Sequence, residues 1–372
     1  MTEYLQTLCD TLRAYGVDKP VTVVDLDRLE ANCALAVSGA DAGLDRRLVA
    51  KSLPCLPLLD HIRGRISTSG LMTFSEPMLL ALLRAEPKTD HLIGKPLPVS
   101  SAARVLAACP EAAACVQWLI DTPGRLRDYL ALAAAKQSAL RLSLEVDIGL
   151  HRGGFLPEQV ADIAQEIDAY PNARLSGMMG YEAHLAKLPG FLRKRAVRSS
   201  ADAFRRAVSS LPRGGEGLCL NTGGSLTFQS YRANSGATEV AFGSVLVKPS
   251  DFDHPATQMF QPAAFIATPV LKAMPGNPLP GLDFLWRTRT DIAVFGGHFL
   301  AHPVFPKRFR YSTIFGRSSN QEVWTGPCPA MVTPGDIAIL RPTQSEAVLN
   351  QLGTMLAVRG NQVVAEWECL PN

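Results

Sequence analysis

Short aliphatic runs alternate with helix-spaced stretches through the first two thirds of this chain. No other feature restricts its fold as strongly. VTVVDL (21–26) precedes DRLEANCALAVSG, RRLVAKS (46–52) precedes LPLLDHIRG, and GLMTFS (70–75) precedes EPMLLALLRAEP. DHLIGK (90–95), VQWLID (116–121), LRLSLEVDIG (140–149), ARLSGMMGY (173–181) and GLCLNT (217–222) continue the series. Thr122 reads as a helix N-cap with Pro123 at the first helical position, and Ser100 or Ser101 as another cap. Strands that alternate with helices in this way make parallel βαβ units. The count of eight predicts a (β/α)8 TIM-type barrel over residues 1–255. An open doubly wound sheet is the competitor, but no dinucleotide fingerprint follows the first strand. Beyond residue 255 the helices drop out. PAAFIATPVL, FLWRTRTDIAVFGG, PGDIAILRP and AVLNQLGTMLAVRGNQVVAEWECL predict a smaller, mainly-β domain over 256–372.

Composition removes several function classes. The formal charge of +3 over 372 residues is small and evenly spread. The densest basic stretch, FLRKRAVRSSADAFRR (191–206), has helical spacing without interleaved aromatics or a recognisable module. It reads as a solvated helix face, and nucleic acid is not an expected partner. No apolar run reaches the length of a membrane span, and MTEYLQTLCDTLRAYG lacks a basic segment followed by an apolar one. The eight scattered cysteines include no CxxC pair. Reduced thiols and a cytoplasmic location are expected.

Polar residues gather where the strands end, the functional face of a barrel. Lys51 closes the second run, although lysine is rarely buried without a partner. A desolvated amine is what Schiff-base chemistry requires, and a lysine snorkelling to solvent is the plainer reading. Glu145, Asp147, His151 and Arg152 lie at or after the sixth run in LEVDIGLHRGG. Tyr181, Glu182 and His184 follow the seventh, and NTGGS (221–225) follows the eighth; TEVAFGS then offers Gly243 and Ser244. Taken singly, Arg152 is a barrel-end ion-pair partner, His184 a loop histidine and NTGGS a turn. A Gly-rich turn with hydroxyls at the top of a barrel is also a phosphate cradle. The ordered conjunction carries more weight than any member.

With those residues in place, the chain resembles the pyridoxal-phosphate enzymes of fold type III, the alanine-racemase-like barrel. Within them it is similar to the D-threonine aldolase / D-serine dehydratase-like family. The resemblance covers nearly the whole chain. It runs from KPVTVVDLDRLEAN through LVAKS, GLMTFSEPMLL, DHLIGKPL, LEVDIGLHRGG, LSGMMGYEAH, NTGGSLTF and TEVAFGS to VTPGDIAILRPTQSEAVLNQL and VVAEWECL. It implies pyridoxal 5′-phosphate as cofactor, with Lys51 as the lysine that carries it and the base at Cα. It implies Arg152 near the cofactor's phenolic oxygen and Tyr181 beside its ring or phosphate. Thr222, Gly223, Gly224, Ser225, Gly243 and Ser244 would hold the phosphate. The implied activity is a lyase acting on D-configured β-hydroxy amino acids, by retro-aldol cleavage or dehydration, in a homodimer.

Three positions depart from the family's pattern. The metal-binding motif of the lyases, Arg-Pro-x-His-x-Cys or His-x-Asp, reads here Arg341-Pro342-Thr343-Gln344-Ser345-Glu346. Glutamine is a poor zinc ligand. Gln344 and Glu346 are expected to have lost the metal, or else to hold Mg²⁺ or Mn²⁺ through oxygen. Without it, Glu346 or His184 is the candidate acid or base at the β-hydroxyl. Ala241 stands where alanine racemases place an arginine against the pyridine nitrogen, which argues against a plain alanine racemase. A metal-independent amino-acid racemase or epimerase on the same fold is the alternative reading. GGHFLAHPVFP (296–306) carries His298 and His302 where a small turn is expected; they are read as structural.

Overall fold

The computed structural model describes residues 2–68, 70–285, 287–328 and 331–372. In chain order its strands begin with β1 (Val21–Asp25), β2 (Asp45–Val49), β3 (Gly70–Thr73), β4 (His91–Ile93) and β5 (Val116–Ile120). There follow β6 (Leu140–Val146), β7 (Ala173–Gly180), β8 (Cys219–Thr222) and β9 (Glu239–Phe242). The remainder are β10 (Ala264–Pro275), β11 (Arg289–Phe295), β12 (Ala301–Phe305), β13 (Arg310–Tyr311), β14 (Gln321–Pro327), β15 (Ile337–Pro342), β16 (Thr354–Arg359) and β17 (Gln362–Glu368).

Strands β2 to β9 close a barrel, every neighbouring pair parallel. The TIM-type fold class is therefore as the alternation predicts, but its membership shifts by one strand. VTVVDL is not a barrel strand: β1 pairs antiparallel with β10 and parallel with β16 in a separate nine-stranded sheet. The eighth barrel strand is β9, from the TEVAFGS segment. The physical reason is burial. All five residues of β1 are buried, which gives it the unbroken apolar run of a barrel strand. β9 has four residues and follows β8 after short 3-10 turns rather than a full helix.

The compact unit around the barrel spans residues 33–245, 254–257 and 370–372. Helix Pro123–Lys136 starts as its sequence predicts, with Thr122 Oγ1 accepting from the Arg125 N–H at 3.2 Å. The helix Val99–Ala108 instead begins behind Pro98, so Ser100 and Ser101 lie within its first turn.

Inside the barrel, Arg47 of β2 ties the adjacent strand β9 to the residue just before β4. Its Nε donates to Glu239 Oε1 at 2.6 Å and its Nη2 to Asp90 Oδ2 at 2.7 Å. Arg141 and Gln117 also donate to Asp90, and Asn221 Nδ2 donates to Glu239 Oε1 at 2.6 Å. Burial pushes the Asp90 carboxyl up, but Arg47 and Arg141 outweigh it and hold it below the usual range.

The second unit spans residues 1–32, 246–253 and 258–369. Its sheet runs β13-β14-β11-β10-β1-β16-β17, with β15 pairing both β10 and β12. Side-chain alternation gives it two cores. Phe265, Ile339 and Leu356 pack with Leu5, Leu8 and Leu12 of helix Thr2–Tyr15, while Ile266, Ile292, Trp324 and Leu340 pack in the other. Within FLWRTRTDIAVFGG, β11 begins at Arg289, and Trp286 lies outside the described residues. His302 lies in β12 and His298 in the turn before it, where its N–H donates to Glu322 Oε1 at 3.0 Å. None of the eight cysteines is in a disulfide. Among the described residues no helix is long and apolar enough to cross a membrane.

Candidate active site

The C-terminal ends of the barrel strands bring most of the predicted residues into one contiguous rim. β2 stops at Val49, and Lys51 sits in the single 3-10 turn Ala50–Ser52 that follows. Ala50, Ser52, Leu53 and Pro54 are buried around it, which fixes the turn. The Lys51 Nζ lies over the Phe74 ring, 4.3 Å from its centroid. Phe74 is itself held tightly: a Cβ on Gly94 would stand 2.3 Å from its ring.

The end of β9 packs on this turn. A Cβ at Gly243 would lie 2.8 Å from the Val49 carbonyl oxygen and 3.0 Å from Ser52 Cβ. Only glycine allows that approach. It sets Ser244 against Lys51's neighbour, with Ser244 Oγ donating to Ser52 Oγ at 2.9 Å. Ser225 Oγ accepts from the N–H groups of Gly243 (3.4 Å) and Val245 (3.1 Å), so the Gly-rich turn after β8 is tied to the end of β9. Behind it Phe228 and Phe242 pack with ring centroids 4.5 Å apart.

Tyr181 continues the rim at the end of β7. Its ring lies so close to the Gly-rich turn that a Cβ on Gly224 would be 2.8 Å from Tyr181 Cε2. The guanidinium carbon of Arg152 stands 5.6 Å from the same ring's centroid. Arg152 reaches it from LHRGG, a loop built by Asp147. Asp147 Oδ1 accepts from the N–H groups of Gly149 (2.8 Å) and His151 (3.0 Å), and Oδ2 meets the His151 ring at 2.8 Å. Burial pushes the Asp147 carboxyl up, but those donors outweigh it and hold it below the usual range. Positive φ values at Gly149 (+112°), Gly153 (+108°) and Gly154 (+96°) let the loop return, and the Phe155 N–H closes on the Glu145 carbonyl at 2.8 Å. Burial raises the Glu145 carboxyl, against the pull of Arg152. A Cβ at Gly149 would meet His184 Nε2 at 3.4 Å, which places His184 beside this loop. Burial, then the charge of His151, lowers the His184 pKa and favours the neutral ring.

Glu182 was readable in GYEAH as a polar residue at a strand end, but its function was not. It is fully buried and accepts from Thr222 Oγ1 (3.3 Å) and Thr227 Oγ1 (2.5 Å), with the Tyr231 hydroxyl and the Gly223 N–H nearby. Burial raises its carboxyl above the usual range, and those hydrogen bonds oppose the rise. Thr227 and Tyr231 flank the 3-10 turn Phe228–Ser230, one on either side, and the sequence reading assigned a role to neither because nothing in the local pattern links them to Glu182.

Gln344 and Glu346 belong to the other unit, just past β15. The Gln344 amide donates to Asp251 Oδ2 at 3.0 Å, and Ser345 Oγ donates to Glu346 Oε2 at 3.2 Å. Arg341 of the same segment holds Asp253 with two contacts of 2.8 Å. This donor set does not fit a divalent cation: Gln344 turns an amide N–H, not its oxygen, to the Asp251 carboxylate.

A closed parallel barrel with a lysine, an arginine–tyrosine pair and a glycine-serine rim at its strand ends defines a class of cofactor-binding enzyme barrel. Residues 24–251 match the alanine racemase N-terminal domain family, and the chain belongs to it. The 3-hydroxy-D-aspartate aldolase of Paracoccus denitrificans strain Pd 1222 is 26% identical over 243 residues, which span 63% of this chain and 62% of that protein. The crystal structure of D-threonine aldolase from Filomicrobium marinum is similar with a TM-score of 0.77 at 16% identity, covering 95% of this chain and 97% of that one. D-threo-3-hydroxyaspartate dehydratase from Delftia sp. HT23 is similar with a TM-score of 0.74 at 15% identity, covering 96% and 98%.

Proposed function

We propose that this protein is a pyridoxal 5′-phosphate-dependent lyase acting on D-configured β-hydroxy amino acids, by retro-aldol cleavage or dehydration. The observation that carries the reading is the rim itself: Lys51 over Phe74, its neighbour Ser52 bonded to Ser244, and the Gly-Ser turn closing round to Tyr181 and Arg152. These residues fit the cofactor. An amine suits its aldehyde and a guanidinium its phenolic oxygen. Hydroxyls on turns that admit only glycine suit its phosphate. The fit to a divalent metal fails, and no step here uses one.

When bound, pyridoxal phosphate supplies an electron sink for charge that develops at Cα. The protein's own groups do the rest. Lys51 would hold the cofactor and move the proton at Cα. Tyr181 would lie beside the cofactor's ring or phosphate, and Arg152, whose guanidinium stands over the Tyr181 ring, would meet its phenolic oxygen. Thr222, Gly223, Gly224, Ser225, Gly243 and Ser244 would form the phosphate end. His184, whose neutral ring is an acceptor, takes the β-hydroxyl proton in the cleavage direction. The Cα–Cβ bond then breaks, an aldehyde leaves, and Cα is protonated to give glycine or its substituted analogue. In dehydration the Cα proton and the β-hydroxyl leave together as water instead, and the released enamine tautomerises to an imine that water hydrolyses to a keto acid and ammonia. Glu346 is the second proposed acid–base group. A cytoplasmic homodimer is part of the same reading.

A metal-independent racemase or epimerase is the second reading, and the Gln344–Asp251 bond supports it, because Gln344 stands in the sequence where the resemblance implies the lyases' metal-binding histidine. The deciding experiment incubates the holoenzyme with D-threonine, D-serine and the 3-hydroxyaspartate isomers. Aldehyde with glycine, or keto acid with ammonia, supports the lyase. Loss of an α-deuterium with neither product supports the racemase.

A further inference from the structure

Glu182 lies directly under the Gly-rich turn, and its hydrogen-bond partners are hydroxyls rather than a cation. Thr227 Oγ1, which donates to Glu182 at 2.5 Å, also accepts the Gly224 N–H at 3.0 Å. The Gly224 N–H is therefore turned inward, to the threonine that Glu182 holds. What the turn presents to an anion includes the Ser225 hydroxyl. Ser225 Oγ already accepts from Gly243 and Val245 at 3.4 and 3.1 Å, so its hydrogen remains to be donated. Donors from the end of β8 and from the segment after the turn converge on one buried carboxylate, and such a network has one geometry.

We propose that Glu182 is the positioning residue of the phosphate subsite: it fixes residues 222–227 so that Ser225 and the Gly243–Ser244 corner meet the anion. It thereby makes the barrel prefer pyridoxal phosphate over pyridoxal. This rests on the cofactor reading above. A merely structural role for Glu182 predicts equal loss of both ligands, because Lys51 and Phe74 serve each alike.

The test strips cofactor from the full chain and titrates wild type, Glu182→Gln, Glu182→Ala and Thr227→Val with pyridoxal phosphate and, separately, pyridoxal. Binding is read from the near-visible absorbance band of the lysine-bound cofactor. Glu182→Ala and Thr227→Val are expected to weaken pyridoxal phosphate at least tenfold and pyridoxal less than twofold, with Glu182→Gln between. Equal losses for the two ligands, or unchanged pyridoxal phosphate affinity, overturn the proposal. If Glu182→Ala does not fold, Thr227→Val and Tyr231→Phe carry the same comparison. Wild type that binds neither ligand sinks the cofactor reading and this proposal with it. Wild type that binds both ligands equally tightly removes the preference, and the proposal alone fails.

Discussion

Arg47 Nε lies 2.6 Å from Glu239 Oε1 inside the barrel, with 4% and 9% of the two side chains exposed. The pair is one edge of a network that also takes in Asp90, Arg141, Gln117 and Asn221. Removing one member of a buried ion pair strands the other charge and costs about 3–5 kcal/mol. Arg47→Met is expected to lower stability by roughly that much in urea unfolding. Adding Glu239→Gln to it recovers part of the loss, since the stranded charge is gone. Additive losses in the double variant count against the network.

His91 makes stability depend on pH. It is fully buried, with Nδ1 2.9 Å from Thr73 Oγ1, and burial followed by the charge of Arg47 lowers its pKa from 6.5 to about 4. The folded value is below the unfolded one, so the unfolded chain binds the proton first as pH falls. The contribution is complete above about pH 6.5 and disappears between there and pH 4, a loss of roughly 3 kcal/mol. Urea midpoints of wild type should fall across that window, and those of His91→Gln should fall distinctly less. Asp90, with its lowered pKa, adds its own loss at more acid pH, as the pH falls through its folded value.

Lys51→Ala tests the covalent anchor. Wild type is expected to show a yellow absorbance band that borohydride removes, and the variant to lack the band as purified. The lyase rate should fall by several orders of magnitude with it. A colourless wild type that takes up no added pyridoxal phosphate withdraws the cofactor and the roles that depend on it.

Gly243→Ala places a Cβ 2.8 Å from the Val49 carbonyl oxygen, which is backbone and yields only by moving β2 or β9. Overpacking of this kind costs about 1–3 kcal/mol. The displacement pushes Ser244 off Ser52, so a drop in melting temperature should accompany weaker cofactor retention on dialysis. Unchanged retention would mean that the corner does not hold the anion.

Dialysis against EDTA is expected to leave the holoenzyme's rate unchanged, because Gln344 and Glu346 are engaged with Asp251 and Ser345. A lost rate restored by Mn²⁺ or Mg²⁺ would place a cation at the site after all.

The strand–helix alternation was enough to determine a barrel, because burial of apolar runs and helix periodicity are local properties of the chain. The positions of Lys51, Tyr181 and the NTGGS turn were legible for the same reason: each lies at a strand end or a residue or two past it, and strand ends are visible in sequence; Arg152 lies farther out, in the loop after β6. Strand membership was not legible. β1 and a barrel strand present the same buried aliphatic run, and only hydrogen-bond pairing puts Val21–Asp25 beside β10 and β16. The inward turn of the Gly224 N–H was equally hidden, since it depends on Thr227, which Glu182 holds from another strand end. Local sequence sets which groups are available. Whether a glycine N–H faces a ligand or a side chain of the fold is decided by what the tertiary structure brings within about 3 Å, and no pattern along the chain encodes that distance.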